Sequence, residues 1–371
     1  MRRGPFVVTA VLSLCAASAA AAPPPVAAPA YVVRAGPDAT IIAARAPDVA
    51  RAFASITKLM TVLVVLEHAR LDDVVTVTPE VAAIGESEIL LQPGERITVR
   101  DLLVAALVPS ANDAAHALAL HVGHGSVSRF VAMMNQKARA LGLTSTHFEN
   151  PHGLDQAGHV SSARDVTTLL TAALRFPFVR TWSVKPLAEI GGGRFLHSTD
   201  GLIGILPLVG AKTGHTDMAG WSQVAAVEQD GVRVTASLLG AATELQRDAE
   251  LTALLAWGLA QYHRARVTGG HVYALAEVGY GRAPVALVAA RNVVRSVRVG
   301  RPLVERVVAQ TTLALPVTRG QRVGEVQVYS EGKLIARTPL VAATSIPAVG
   351  VAGKVKWYSR RTAHHVIGFA T

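Results

Sequence analysis

Cysteine is nearly absent from this sequence of 371 residues, which contains a single one, Cys15. Cys15 lies in an N-terminal segment that we expect to be removed, so the mature chain is predicted to contain no cysteine. This excludes disulfide bonds, a thiol nucleophile and thiolate metal ligands. The H-E-x-x-H zinc pattern is also absent, and His121-x-x-His124 does not match it, so no metal or organic cofactor is expected.

Residues 1–22 have the pattern of a cleaved signal peptide. Arg2 and Arg3 precede a short apolar run, and an alanine-rich stretch follows it. The apolar run is too short to span a membrane. We expect cleavage after Ala20 or Ala21, ahead of three consecutive prolines, and therefore an exported protein.

Positive charge exceeds negative charge, with 36 Lys and Arg residues against 26 Asp and Glu residues and a formal net charge of +10. In a cytosolic protein this excess would suggest nucleic acid as a partner. Export argues against nucleic acid and favours an anionic lipid or an anionic wall polymer. A basic composition without a specific partner explains the charge equally well.

The length predicts about two domains. Between residues 28 and 263, strands are predicted at both ends and helices between them, including a buried helix over 56–69 and another helix over 249–262. This order indicates an α+β domain, in which a helical cluster covers an antiparallel sheet. From residue 264 to 345, short valine-rich runs alternate with turn residues, which predicts a small all-β domain. A tail follows at 346–371.

The predicted buried helix begins at the sequence Ser55-Ile56-Thr57-Lys58. Its S-x-x-K spacing places the serine and the lysine on one helix face. A serine attacks an amide or ester only if its hydroxyl loses its proton, and Lys58 can accept that proton only when burial and nearby positive charge have lowered its pKa. The same pattern recurs by chance in a turn, at Ser330-Glu331-Gly332-Lys333, so the pattern alone does not identify a site.

Two further motifs follow Ser55 in order. Ser110-Ala111-Asn112 lies at a break between predicted helices, where its hydroxyl can relay a proton and its amide can bind a carbonyl, although Ser110 also suits a helix N-cap. Lys212-Thr213-Gly214 lies in a predicted edge strand, where Gly214 leaves room for a peptide and the other two side chains offer a cation and a hydroxyl to a terminal carboxylate. The order S-x-x-K, S-x-N, K-T-G indicates an acyl-serine enzyme.

With these motifs, the chain resembles the low-molecular-mass penicillin-binding proteins that act as D-alanyl-D-alanine carboxypeptidases. The resemblance covers nearly all of the mature chain and extends to Leu91-Gln92-Pro93-Gly94-Glu95, Asn150-Pro151-His152-Gly153-Leu154-Asp155, Ser161-Ser162-Ala163-Arg164-Asp165, the continuation of the third motif to Gly220, and two C-terminal segments at 320–324 and 339–342. It implies the penicillin-binding/β-lactamase-like transpeptidase fold with a small C-terminal β domain. It also implies a place in the bacterial cell envelope, in the periplasm or on the outer face of the cytoplasmic membrane.

The resemblance implies a role for each motif residue. Ser55 would be the acylated nucleophile, Lys58 its general base and Ser110 a proton relay. The substrate would be a peptidoglycan stem peptide that loses its terminal D-alanine, and β-lactams would acylate the same serine.

The remaining residues would bind the peptide. Asn112 would orient it, Lys212 and Thr213 would bind its carboxylate, and the backbone N–H groups of Ser55 and His215 would form the oxyanion hole. Arg247 occupies the place of a second cation for the carboxylate, with a surface arginine at a helix start as the alternative.

Two departures from the family pattern stand out. Phe53 replaces a proline two residues before the nucleophile, which affects the expected local turn more than the chemistry. No Glu-x-x-Asn loop is present to activate a deacylating water, which disfavours rapid β-lactam hydrolysis. A DD-endopeptidase that cuts cross-links and a non-catalytic peptidoglycan or penicillin binder remain alternatives.

The tail is a separate hypothesis. As a helix, it would place Val355, Tyr358, Val366 and Phe369 on one side and basic residues around the other, with Trp357 at the edge. Such a helix suits an anionic membrane surface. A disordered basic end is the alternative.

Overall fold

The computed structural model describes residues 7–8 and 21–367, with side chains described for residues 21–359 and for Thr362. Most of the predicted signal peptide, including Cys15, lies outside the described residues. The chain divides into two compact units. The N-terminal unit covers residues 21–260, and the C-terminal unit covers the described residues from 261 onward together with a short strand β1, Val7–Val8.

A five-stranded antiparallel sheet forms the centre of the N-terminal unit, with strand order β3-β2-β10-β9-β8. Two small two-stranded sheets, β4–β5 and the hairpin β6–β7, are separate from it. The bounds are β2 Ala30–Ala35, β3 Thr40–Arg45, β4 Val74–Thr76, β5 Arg96–Thr98, β6 Leu187–Ile190, β7 Arg194–His197, β8 Leu208–Thr216, β9 Gly220–Gln229 and β10 Val232–Ala241. Strand β8 is an edge strand, as its sequence predicted.

Helices of the same unit pack around one central helix, α1. Eight consecutive residues of α1, from Lys58 to Val65, are buried, because the run is apolar on nearly all faces and contains no Gly or Pro. The bounds are α1 Lys58–His68, α2 Pro79–Ala82, α3 Val99–Leu107, α4 Asn112–Val122, α5 Val127–Ala140, α6 Ala163–Ala173, α7 Pro177–Trp182 and α8 Glu244–Ala260, with short 3₁₀ turns at Ala54–Thr57 and Gly191–Gly193.

The prediction for the last of these helices was wrong at its start. Helix α8 begins at Glu244, five residues before the predicted 249. The cause is a cap: Thr243 Oγ1 accepts a hydrogen bond from the Gln246 N–H at 3.1 Å, and Gln246 Oε1 accepts one from the Ala242 N–H at 3.0 Å. This earlier start places Arg247 inside the first turn of the helix.

The C-terminal unit is all-β up to its final helix. Seven strands form one sheet in the order β1-β15-β17-β18-β13-β12-β16, and β11 pairs with β14. The bounds are β11 Tyr262–Thr268, β12 Val272–Val278, β13 Val285–Ala289, β14 Val293–Arg298, β15 Leu303–Ala309, β16 Thr312–Leu313, β17 Arg322–Ser330 and β18 Lys333–Ala342. A core rich in valine and leucine fills the unit. The predicted fold class, an α+β sheet with a helical cluster and a C-terminal all-β part, is confirmed.

The tail contains a helix, α9, from Val351 to Ile367. Val355 and Tyr358 are exposed, and the ring of Trp357 packs edge-on against Tyr280 with 5.5 Å between centroids. Phe369 and the side chain of Val366, both part of the predicted apolar side, lie outside what the structure describes. Among the described residues, no helix combines the length and apolar character needed to cross a bilayer.

Candidate active site

Ser55 lies in the 3₁₀ turn that leads directly into α1. The preceding residue, Ala54, has a φ of 48°, in the left-handed region that residues other than glycine rarely adopt. The turn therefore places Ser55 outside the regular α-helix and leaves it half-buried at the mouth of a cleft.

Lys58 is completely buried behind Ser55 and makes three hydrogen bonds. Its Nζ donates to Ser55 Oγ at 2.7 Å, to Asn112 Oδ1 at 2.6 Å and to the backbone carbonyl of His152 at 2.8 Å. Burial holds the pKa of Lys58 well below its usual value, and the positive charge of Lys212 lowers it further, whereas Glu86 acts in the opposite direction. Three donated hydrogen bonds describe the ammonium form of Lys58. The neutral amine keeps two N–H groups, for Asn112 and the His152 carbonyl, and its lone pair can take the proton of the Ser55 hydroxyl.

Ser110 occupies the break between α3 and α4, with a φ of 68°. Its hydroxyl oxygen is buried and makes no hydrogen bond with any described residue. Leaving a buried hydroxyl without a partner costs about 1–3 kcal/mol, so such groups recur at functional sites. The structure brings Ser110 to the same cavity as Ser55 but does not bond it directly to Lys58.

The Asn112 side chain holds Lys58 in place. Its Oδ1 accepts from Lys58, and its Nδ2 donates to the carbonyl of Gly85 at 3.0 Å. Each end of the amide therefore makes a hydrogen bond within the protein, which helps to fix the base. The expected role of Asn112 in orienting the peptide stays a prediction.

Strand β8 carries Lys212 and Thr213 into the opposite wall of the cleft. Lys212 is buried, its Nζ donates to the Thr213 carbonyl at 2.9 Å, and burial lowers its pKa to about 7. Thr213 Oγ1 lies 2.7 Å from Thr199 Oγ1. Because β8 has a sheet neighbour on one side only, its outer edge can pair with an extended peptide.

Gly214 is also needed for a close contact within the protein, in addition to the expected room for a peptide, which stays a prediction. A methyl group added at Gly214 would lie 3.0 Å from the Phe53 carbonyl oxygen and 3.0 Å from the Ser55 backbone nitrogen. The close approach is therefore between β8 and the turn that carries the nucleophile. The missing side chain lets the strand and the serine lie against each other.

Arg247 is buried, with 1% of its surface exposed, so the alternative of a surface arginine is wrong. Its guanidinium pairs with Asp248 at 2.7 Å and with Glu244 at 3.1 Å. It also lies over the ring of Trp221, 5.5 Å from the centroid, and Trp221 in turn stacks on the exposed ring of His215 at 4.1 Å. These contacts aim a fixed cation at the cleft.

One open cavity of about 280 Å³ collects most of the predicted residues. Its lining contains Ser55, Ser110, Thr213, Gly214, His215 and Arg247. Lys58, Asn112 and Lys212 lie buried close behind it. Residues from three distant motifs thus meet at a single concave site.

Sequence reasoning missed several residues of this site. Ser87, Thr199 and Trp221 also line the cavity, and Asp200 lies half-buried near Lys212, with its pKa raised by desolvation. Only Trp221 had a signal, because it directly follows the extended third motif. Within the described residues, no group of three or more His, Cys, Asp or Glu side chains is arranged to hold a metal ion.

The segment Asn150–Asp155 borders the site and supports it. The carbonyl of His152 accepts from Lys58, as described above. Asp155 accepts from Thr216 Oγ1 at 2.6 Å and from the Met218 N–H at 3.0 Å, which fixes the turn after β8. Asp155 is thus a loop-structuring residue.

Comparison with known proteins gives two family matches. The model of the D-alanyl-D-alanine carboxypeptidase family, peptidase S11, matches residues 17–243, and that of the C-terminal domain of penicillin-binding protein 5 matches residues 267–348.

The D-alanyl-D-alanine carboxypeptidase DacA of Escherichia coli K12 is 32% identical over 348 residues, which covers 88% of this chain and 86% of DacA. DacF of Bacillus subtilis is 30% identical over 312 residues, 80% of each chain. The crystal structure of penicillin-binding protein 5 from Haemophilus influenzae superposes with a TM-score of 0.63 at 28% identity, covering 88% of this chain and all of that one.

Proposed function

Because this chain belongs to the D-alanyl-D-alanine carboxypeptidase family, we propose that its cleft releases the terminal D-alanine of peptidoglycan stem pentapeptides through an acyl-Ser55 intermediate. It is a serine-type peptidase of the penicillin-binding class. The observation that carries the residue assignment is the 2.7 Å contact between Ser55 Oγ and the completely buried Nζ of Lys58.

Acylation follows from the positions of the side chains. The proton of the Ser55 hydroxyl passes to neutral Lys58 as Oγ bonds to the carbonyl carbon between the two D-alanines. The negative charge that forms on the carbonyl oxygen is bound by the N–H groups of Ser55 and His215. The C–N bond then breaks, and the leaving amine takes a proton from the Lys58 ammonium through the hydroxyl of Ser110.

Deacylation uses the same groups. Water loses a proton to neutral Lys58 and attacks the ester carbonyl carbon, the bond between that carbon and Ser55 Oγ breaks, Oγ takes the proton back from the Lys58 ammonium, and the shortened peptide leaves. A β-lactam enters the first step in the same way, but its leaving nitrogen stays tethered in the adduct. The penicilloyl ester is then the species expected to accumulate.

The carboxylate of the substrate is bound at the far end of the cleft. A carboxylate in a closed cleft must be paired and hydrogen-bonded to offset its lost hydration. Thr213 offers a hydroxyl, while Lys212 and Arg247 offer cations. This end selects a peptide with a free C-terminus.

The decisive experiment supplies two substrates, a stem pentapeptide and a cross-linked dimer, and measures free D-alanine against released monomer. We expect D-alanine from the pentapeptide and none with Ser55→Ala. Dimer cleavage without D-alanine release would instead establish the DD-endopeptidase. Mass spectrometry after penicillin treatment should place one adduct on Ser55, and an adduct on another residue would overturn the assignment.

The chain's positive charge supports an envelope location with an anionic partner. Residues 261–345 contain 12 Lys and Arg against 4 Asp and Glu, and residues 346–371 contain 4 Lys and Arg and no Asp or Glu. Residues 21–260, in contrast, contain 18 Lys and Arg against 22 Asp and Glu. We propose that residues 28–263 form the catalytic domain, 264–345 an accessory β domain and 346–371 a tail that docks on an anionic membrane from the periplasmic or extracellular side.

Vesicle binding tests the tail. The intact mature protein should sediment with vesicles containing anionic lipid, less at high salt, and a chain ending at Gly350 should sediment less. Vesicles of neutral lipid provide the control. Equal sedimentation of the two proteins would contradict the docking role of the tail.

A further inference from the structure

The backbone at Ala54 is held in a conformation that it would rarely adopt by itself. Ala54 has a φ of 48° although it carries a side chain. Residues in this region persist only where surrounding contacts impose the conformation. The contacts that do so here are found on the side of the turn away from the cleft.

A chain of three hydrogen bonds ends at the Ala54 carbonyl. Thr57 Oγ1 lies 2.7 Å from the Ala54 oxygen and donates its proton to it. Because a hydroxyl has one proton, Thr57 Oγ1 accepts from His159 Nε2, also at 2.7 Å. His159 Nδ1 accepts from the Glu149 N–H at 3.0 Å, which leaves the ring proton on Nε2.

The imidazole is itself immobilised. His159 is 3% exposed, and its ring stacks on Phe53 with 4.9 Å between centroids and 6° between planes. Phe148 packs edge-on against the same ring at 5.9 Å. Phe53, the residue that replaces the proline of the family pattern, thus anchors the start of the nucleophile turn to His159.

The direction of these bonds determines the direction of the Ser55 N–H. In a trans peptide the C=O and the following N–H lie in one plane and point in opposite directions. A carbonyl of Ala54 that is fixed toward Thr57 therefore directs the Ser55 N–H away from Thr57. The Ser55 nitrogen adjoins β8, 3.0 Å from where a methyl group on Gly214 would lie.

We infer that Thr57 and His159 are positioning residues, which orient the Ser55 N–H for the oxyanion through the carbonyl of Ala54. They touch neither the substrate nor the attacking oxygen. This inference rests on the proposed acyl-Ser55 mechanism, since the N–H matters only if an oxyanion forms at Ser55.

Three variants separate positioning from ordinary structural support. Thr57→Val keeps the shape of the side chain and removes the hydroxyl, whereas Thr57→Ser keeps the hydroxyl. Ser237→Ala removes another buried hydroxyl, one on strand β10 that donates to the Ala163 carbonyl at 2.7 Å and makes no hydrogen bond with Thr57 or His159. All three are assayed for thermal stability and for acylation by a penicillin, with the acylation rate constant separated from non-covalent binding.

For Thr57→Val we expect the acylation rate constant to fall about 10- to 100-fold with little change in non-covalent binding, since loss of an oxyanion donor costs about 100- to 1,000-fold elsewhere. Thr57→Ser should stay within about 3-fold of wild type, and Ser237→Ala should lose stability but not acylation rate. Wild-type acylation by Thr57→Val, or an equal loss in Ser237→Ala, would overturn the inference alone. An unacylated wild-type protein would overturn the acyl-serine mechanism, and the inference with it.

Discussion

Lys212 lies close enough to Lys58 for its positive charge to lower the pKa of Lys58, in addition to the larger effect of burial. Both side chains are almost completely inaccessible, at 2% and 0% exposure. One comes from strand β8 and the other from helix α1. The strand that is proposed to bind the end of the substrate therefore also helps to keep the base uncharged.

Removal of the base should abolish acylation. Lys58→Met has similar volume but cannot accept the serine proton, so we expect acylation of Ser55 by penicillin to fall at least about 100- to 10,000-fold. Intact-mass time courses measure this loss. Lys333→Met, in the second S-x-x-K sequence, is the matched control, and any comparable loss there would contradict the assignment of Lys58.

A methyl group at position 214 should disturb the nucleophile rather than the substrate. In Gly214→Ala, the new Cβ meets the backbone on both sides of Ala54, so we expect a lower melting temperature and acylation slower by about 10-fold or more. Gly279→Ala is the control, because it lies in the C-terminal unit and a methyl group there has no atom within 4 Å. Gly214→Ala with wild-type acylation kinetics would show that the contact has no catalytic consequence.

Binding of the substrate carboxylate should weaken as pH rises. Burial lowers the pKa of Lys212 to about 7, so its ammonium is charged below that pH and neutral above it. We expect KM for a peptide with a free C-terminus to rise about 3- to 10-fold between pH 6 and 8. The same peptide with a C-terminal amide, or the variant Lys212→Met, should show no such rise; a rise in either would contradict the role of Lys212.

Acid should destabilise the fold through two buried histidines near the nucleophile. Burial lowers the pKa of His152 to about 3 and that of His159 to about 4, from 6.5. Below pH 6.5 the unfolded chain binds protons at these two histidines that the folded chain does not bind. The stability that the two neutral histidines contribute is therefore complete above pH 6.5 and is lost as pH falls toward 3–4. Urea unfolding should show a loss on the order of a few kcal/mol between pH 6.5 and 4, and His159→Gln should reduce the slope. An unchanged slope in that variant would contradict the assignment.

The sequence predicted those contacts that follow directly from the spacing of two residues along a helix. Ser55 and Lys58 meet because they are three residues apart at the start of a helix. The second S-x-x-K fails for an equally local reason. Ser330 and Lys333 end and begin neighbouring strands and face each other across the Glu331-Gly332 turn, where no buried base is formed.

Contacts between distant segments could not be predicted in this way. Lys58 donates a hydrogen bond to the backbone carbonyl of His152. Every residue has such a carbonyl, so the identity of residue 152 does not predict this contact. The stacking of Phe53 on His159 joins segments that are adjacent only in the folded chain. The start of α8 did have a local signal, the capping pattern of Thr243 and Gln246, and here the sequence was informative.

Under the proposed mechanism, the edge position of β8 restricts which polypeptides the cleft can accept. A chain bound along this edge must be extended, with its main-chain hydrogen-bonding groups free and its last residue at the carboxylate end of the cleft. In a folded protein most main-chain groups are already paired within helices and sheets, so few segments can add to this edge. The geometry of one strand thus favours unstructured peptides over folded proteins as ligands of the cleft.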